Sequence, residues 1–103
     1  MDLALVTEGE TGFFVPAQDA SLQFPPGSGA VFYNPRMEVN RDTTVLLLSA
    51  LRPRDYLDAM GATGARGLRV ARECSIPVTI NDHNPLATAL IRQNATHANL
   101  PVE

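Results

Sequence analysis

Asp58, Asp82, Arg41 and Arg66 are the charged residues whose surroundings suit a ligand site, and the stretch from Tyr56 to Asp82 sets three of them in order. Leu57-Asp58-Ala59-Met60 reads as a short apolar strand interrupted by one carboxylate. Gly61-Ala62-Thr63-Gly64 follows at once as a turn of small residues, which lets a ligand lie against the backbone. From Gly64 to Cys74 the pattern is helical, so the unpaired first-turn N–H groups and the positive end of the dipole face whatever rests on the turn. An anionic or polar ligand group suits that position. After Pro77, Val78-Thr79-Ile80 makes a second strand. Asp82 stands at its end, roughly 20 residues beyond the turn, where a nucleotide-binding βαβ unit places the carboxylate that holds a ribose.

The elements before and after this unit must position it. Leu3 to Thr7 and Phe13 to Pro16 are β-prone runs around Glu8-Gly9-Glu10-Thr11-Gly12, which predicts a hairpin. Phe24 to Gly29 carries prolines and glycines that no regular element tolerates, so a loop is expected there. An apolar helix is expected over Thr43 to Leu51, with Asn40 or Asp42 as its cap and Arg41 at its entrance, long enough to reach a ligand on the neighbouring turn. Helix Ala65 to Cys74 turns Ala65, Leu68 and Ala71 to one side and Arg66, Arg69 and Arg72 to another. Arg69 and Glu73 form an i,i+4 pair worth only tenths of a kcal/mol in solvent. Of the three arginines, Arg66 alone lies over the glycine turn. A last helix is expected from Pro85 to about Asn94, capped by Asn84 and burying Leu86, Ala87, Leu90 and Ile91.

Composition narrows the function classes. The chain has 103 residues, 45% of them hydrophobic, and a net charge of −3, which fits one small domain or part of a larger one and lacks the basic coat of an independent nucleic-acid binder. Its single cysteine, Cys74, reads as a small apolar residue near a helix end in a reducing, cytoplasmic setting. His83 and His97 have no companions at ligand spacing, so no metal site is expected. No apolar run approaches the roughly 20 residues that span a bilayer.

Tyr33-Asn34-Pro35-Arg36-Met37, Asn40-Arg41-Asp42, Asp58-Ala59-Met60-Gly61-Ala62-Thr63-Gly64-Ala65-Arg66-Gly67-Leu68-Arg69 and Asn81-Asp82 resemble the N-terminal part of archaeal and eukaryotic tRNA (guanine(26)-N2)-dimethyltransferases, the Trm1 type. The resemblance runs over nearly the whole chain. It implies an α/β fold, a partial Rossmann-like methyltransferase domain comprising the first βαβ unit, with the hairpin and a helix ahead of it. It also implies S-adenosyl-L-methionine as cofactor and tRNA as partner, the latter held mainly by a C-terminal domain outside residues 1–103. Arg41, Arg66 and Asp82 fall on cofactor-binding positions: the aspartate can accept both ribose hydroxyls, and the arginines can neutralise the methionine carboxylate. Asp58 and the turn ending at Gly64 are implied to contact the methionine portion, although Asp58 could instead cap the turn. Met60 and Ala62 stand where most such enzymes carry glycines, a degeneracy the family shares. Asn34-Pro35 also resembles the Asn-Pro-Pro-aromatic motif of amino-methylating enzymes, but Arg36 and Met37 replace its last two residues. The Asp-Pro-Phe-Gly type motif that would hold the target amine is expected beyond Glu103, so the chain carries half a cofactor site and no complete catalytic site.

Two other readings compete. A nicotinamide dinucleotide-binding oxidoreductase domain also places an acid after its second strand, but Gly61, Gly64 and Gly67 do not make G-x-G-x-x-G. A non-enzymatic cofactor-binding or interaction fragment would leave two parallel strands with open edges, which favour self-association.

Overall fold

The structure, a computed structural model, describes residues 2–20 and 31–102. Strand β1 (Leu3–Glu8) pairs antiparallel with β2 (Thr11–Pro16), from Leu3 opposite Pro16 to Glu8 opposite Thr11, across the two-residue turn Gly9-Glu10. The expected hairpin is present, with strands that reach deeper into the turn. The pleat sends Phe13 and Val15 into the main core and Phe14 to a smaller cluster with Val31, Ala87 and Leu90. The loop expected over Phe24 to Gly29 lies outside the described residues.

Helix α1 (Glu38–Leu51) begins five residues before the expected Thr43, and neither Asn40 nor Asp42 caps it. Its start is decided upstream. Asn34 Oδ1 accepts the Arg36 N–H at 3.0 Å, and Pro35 opens a 3-10 turn over Pro35–Met37 from which the helix grows. Proline suits that position because its missing N–H would have no partner there. Arg41 is therefore inside the helix rather than at its entrance, and it is buried. At the far end Arg52 adopts a left-handed φ of 51° and donates to Leu48 O at 2.9 Å. Pro53 prevents continuation.

Strands β3 (Tyr56–Asp58) and β4 (Val78–Ile80) pair in parallel, with Tyr56 opposite Val78 and Asp58 opposite Ile80, as a βαβ unit requires. β3 ends short of the expected Met60, whereas β4 covers the expected Val78-Thr79-Ile80. Among the described residues each keeps one unpaired edge. Between them α2 (Ala65–Arg69) widens into a π-helical turn over Val70–Cys74, which Ser75 ends at a left-handed φ of 57°. The expected helix is right in place and length, but its winding changes midway. Ala65, Leu68, Val70 and Cys74 pack into the core, with Cys74 the small buried residue expected.

Arg69 departs furthest from expectation on this segment. It does pair with Glu73, Nε to Oε2 at 2.8 Å, but it is only 3% exposed and also donates to Asp42 at 2.6 Å. The pair belongs to a buried network rather than to a solvated helix face.

Helix α3 (Pro85–Ala98) starts as expected, with Asn84 Oδ1 accepting the Leu86 N–H at 3.0 Å. Ala87, Leu90 and Ile91 are buried, whereas Leu86 is half exposed. The helix continues past Asn94 because its stop lies further on: Asn99 turns left-handed, Leu100 N–H reaches Ala95 O at 2.9 Å, Asn99 N–H reaches Thr96 O at 3.1 Å, and Pro101 follows.

Candidate functional site

The turn from Met60 to Gly64 links β3 to α2 and is fastened to the end of β4 by backbone bonds. Gly61 N–H donates to Asn81 O and Asn81 N–H to Asp58 O, both at 2.8 Å, and the Asn81 amide reaches Ala59 O at 3.1 Å. Gly64 sits at φ 88°, a left-handed geometry that only glycine takes without strain, and its carbonyl accepts the Leu68 N–H to start α2. The small residues therefore form a tight, well-anchored turn.

Asp82 buttresses that turn. Its Oδ2 accepts the Ala62 N–H and its Oδ1 the Asn84 N–H, each at 2.9 Å. The bond from Asn84, with that from Ala62, holds the carboxyl below the usual aspartate range despite partial burial. The side chain remains 13% exposed. Asp58 sits at the end of β3 with the opposite bias: burial pushes its carboxyl up, against the backbone N–H groups of Gly67 and Met60 and the charge of Arg66, which lower it.

Arg66, in the first turn of α2, crosses to α1. Its Nη1 donates to Thr44 Oγ1 and its Nη2 to Asn40 Oδ1, both at 2.7 Å. All of these partners are neutral, and among the described residues Arg66 forms no ion pair. Arg41 has the reverse environment. Its Nε and Nη2 form a two-pronged bond to Glu8 at 2.8 and 2.6 Å, Nη2 also donates to Asn34 O at 3.1 Å, and the guanidinium lies 4.9 Å from the Tyr33 ring centroid. Burial opposes its charge, but the Glu8 carboxylate more than compensates and raises its pKa.

These elements enclose a cavity of about 170 Å³ whose walls include Tyr33, Arg41, Asp58, Thr63 and Arg66. Gly64 and Asp82 do not line it but adjoin the Ala62–Thr63 segment that does, Gly64 as the next residue in the chain and Asp82 through its bond from the Ala62 N–H. The structure thus gathers Arg41, Asp58 and Arg66 around one space and places Gly64 and Asp82 as supports for its floor. Ligand pockets commonly enclose about 300–1,000 Å³, so this one has room for only part of a nucleotide-sized molecule. Glu8, Asn40, Thr44 and Asn94 are structural partners of the site that sequence reasoning missed. Nothing in Thr7-Glu8-Gly9 distinguishes a buried carboxylate from a solvated one.

Residues 9–102 match the family described as N2,N2-dimethylguanosine tRNA methyltransferase. The chain belongs to that family. It is 67% identical over 103 residues to the tRNA (guanine(26)-N(2))-dimethyltransferase of Methanoculleus marisnigri, covering all of this chain and 28% of that one. The enzyme of the same name from Methanoregula boonei is 65% identical over 102 residues, 99% of this chain and 27% of the relative. Among solved structures, the complex of Trm1 from Pyrococcus horikoshii with S-adenosyl-L-methionine superposes with a TM-score of 0.79 at 39% identity, over 93% of this chain and 24% of that one. The chain therefore spans about a quarter of the length of these relatives. Family membership bears out the resemblance read from the motifs, together with the α/β methyltransferase fold, and sets aside the oxidoreductase reading. Among the described residues no helix is long and apolar enough to cross a membrane, and no group of three or more potential metal ligands occurs.

Proposed function

We propose that this chain is the segment of a tRNA (guanine(26)-N2)-dimethyltransferase that holds part of S-adenosyl-L-methionine, for methyl transfer to the exocyclic N2 of guanine 26. The observation that carries this reading is the Arg66 guanidinium on the cavity wall, hydrogen-bonded to neutral groups, in a lining that also includes Gly61, Ala62 and Thr63 of the tight turn. The residues fit the cofactor. A cation held only by neutral partners suits a carboxylate, and the amide and hydroxyl that fix Arg66 leave its charge available. Asp82 stays ionised and spends one hydrogen bond on each oxygen, so each keeps acceptor capacity for a ribose hydroxyl. Asp58 offers a carboxylate to the amino group of the methionine portion. Arg41 contributes a rigid wall with Tyr33.

When bound, the cofactor supplies an electrophilic methyl group on a sulfonium. The chain's own residues then fix its two ends so that the methyl is presented in one orientation. Contacts that orient the guanine amine and hold the tRNA belong, on this reading, to the rest of the full-length protein, and the open edges of β3 and β4 are where neighbouring strands or a second chain would pair. The expected setting is cytoplasmic.

Calorimetry with S-adenosylhomocysteine and with NADH on the full-length protein tests the reading. The homocysteine analogue should bind and NADH should not. Asp82→Ala and Arg66→Ala should each weaken binding by about 1.5–3 kcal/mol, the worth of hydrogen bonds to charged groups. Unchanged affinity in both variants would remove these residues from the site. Radiolabel should pass from labelled cofactor to guanine N2 of unmodified tRNA with the full-length protein and not with residues 1–103 alone.

A further inference from the structure

Glu8 is the last residue of β1, lies at the hairpin turn and is only 1% exposed. An ionised carboxylate at that depth costs several kcal/mol of lost hydration unless donors replace the water. Here the donors are specific. Oε1 accepts Arg41 Nε at 2.8 Å, and Oε2 accepts Arg41 Nη2 at 2.6 Å and the Tyr33 hydroxyl at 2.5 Å. Arg69 Nη1 stands 3.5 Å from Oε1. Two of these partners, Tyr33 and Arg41, line the cavity, and Glu8 itself does not. It lies outside the lining and grips two of the residues that form it.

A buried ion pair of this kind is weak evidence for stability, since packed apolar residues of similar volume often do as well. Its clear product is geometry. The two-pronged bond fixes the plane of the Arg41 guanidinium along its Nε–Nη2 edge, the Tyr33 ring lies against its face, and Asn34 O takes a second bond from Nη2. None of these bonds uses Nη1. A guanidinium held this way gives up little rotamer entropy when a ligand arrives, which is the usual source of affinity through preorganisation.

We propose that Glu8 is a positioning residue for the cofactor, acting through Arg41 and Tyr33 and so making the N-terminal hairpin part of the binding site. This rests on the reading of the cavity as the S-adenosyl-L-methionine site. Glu8 lies 33 residues before Arg41 and 58 before Arg66 in the sequence, and its carboxylate is what carries the placement of the hairpin to the cavity wall. Removing the charge with Glu8→Gln keeps the side-chain volume, breaks the matched two-pronged pairing and leaves Arg41 held only by Asn34 O and the Tyr33 ring. The defect should appear in cofactor affinity and not in the transfer step.

The test uses the full-length protein, with S-adenosylhomocysteine affinity from calorimetry, steady-state kcat and KM for the cofactor, and thermal midpoints. Glu8→Gln should raise Kd and cofactor KM about tenfold, the lower end expected for a charged hydrogen bond, with kcat at saturating cofactor within about twofold of wild type. In an Arg41→Ala background the same change should add less than about twofold, because only the Tyr33 hydroxyl is left for Glu8 to act on. An equal loss with and without Arg41 would mean that Glu8 acts on general stability, and the proposal would fall. Should Glu8→Gln not fold, Tyr33→Phe replaces it, removing one donor to Glu8. It should raise Kd by about two- to fivefold, and by less in the Arg41→Ala background. No change would overturn the proposal. Arg66→Ala and Asp82→Ala separate the two failures. If they weaken binding while Glu8→Gln and Tyr33→Phe do not, the positioning role is wrong and the cofactor site stands. If none of the variants alters binding, the site reading is wrong and the proposal falls with it.

Discussion

The side-chain amide of Asn94 pairs with both backbone polar groups of Phe14, accepting from its N–H at 2.7 Å and donating to its carbonyl at 2.9 Å. It thereby supplies to the middle of β2 what a neighbouring strand would supply. The same Nδ2 also donates to Thr63 O at 2.8 Å, so one wholly buried residue of α3 joins the hairpin to the turn beneath the cavity. Asn94→Ala should destabilise the chain by roughly 2–4 kcal/mol, because one buried and two partly buried backbone groups lose their partner. Urea midpoints at unchanged m-value measure it, and a loss below about 0.5 kcal/mol would show that the backbone groups find other partners.

Ile80 is pressed between two glycines. A Cβ on Gly67 would lie 2.6 Å from Ile80 Cγ1 and one on Gly61 would lie 2.2 Å from Ile80 Cγ2. Gly67→Ala should therefore cost about 1–3 kcal/mol by overpacking α2 against β4, despite the better helix propensity of alanine. Ile80→Ala alone should cost about 2–5 kcal/mol through the cavity it leaves. Combined, the two changes should cost less than their sum, since each relieves the other's misfit. Strict additivity in denaturant titrations would contradict the close contact.

Asp58 and Asp82 should show opposite pH signatures. The folded-state pKa of Asp58 is raised, mainly by burial, so its contribution to stability is present below the unfolded-state value and lost as pH rises through the folded one. Ionised Asp58 thus burdens the folded state at neutral pH. Asp58→Asn should raise the thermal midpoint at pH 7, with the advantage shrinking on acidification. Asp82 is depressed by the Asn84 and Ala62 N–H groups, so its stabilisation is present above the unfolded value and lost as pH falls through the folded one. Asp82→Asn should lower the midpoint at neutral pH and converge with wild type in acid. Midpoints recorded from about pH 7 to pH 3 check both signs, and a parallel response of the two variants would refute the assignment.

What could be read from the sequence were features set by near neighbours. The strand at Val78-Thr79-Ile80, the glycine turn ending at Gly64, and the Asn84-Pro85 start of α3 follow from backbone preferences that act within a few residues, and all three stand in the structure. The family motifs were legible for the same reason, since they are contiguous. Even the errors at helix ends were local: the start of α1 lay in Asn34-Pro35, and the end of α3 in Asn99 and Pro101.

Only the tertiary structure decided what the charges do. Arg69 carries the same local signature as a solvated helix arginine, yet it is buried among Glu73, Asp42 and Glu8. Arg41 and Arg66 look alike in sequence, yet one is neutralised by Glu8 and the other holds its charge among neutral partners. Asn94 in an amphipathic helix reads as the point where the pattern fades, yet it is a fully buried bridge to residues 80 and 31 positions away. The physical reason is that the energy of a charge or amide depends on which groups replace its water, and those groups arrive from distant parts of the chain when the hairpin, α1 and α2 close on one another.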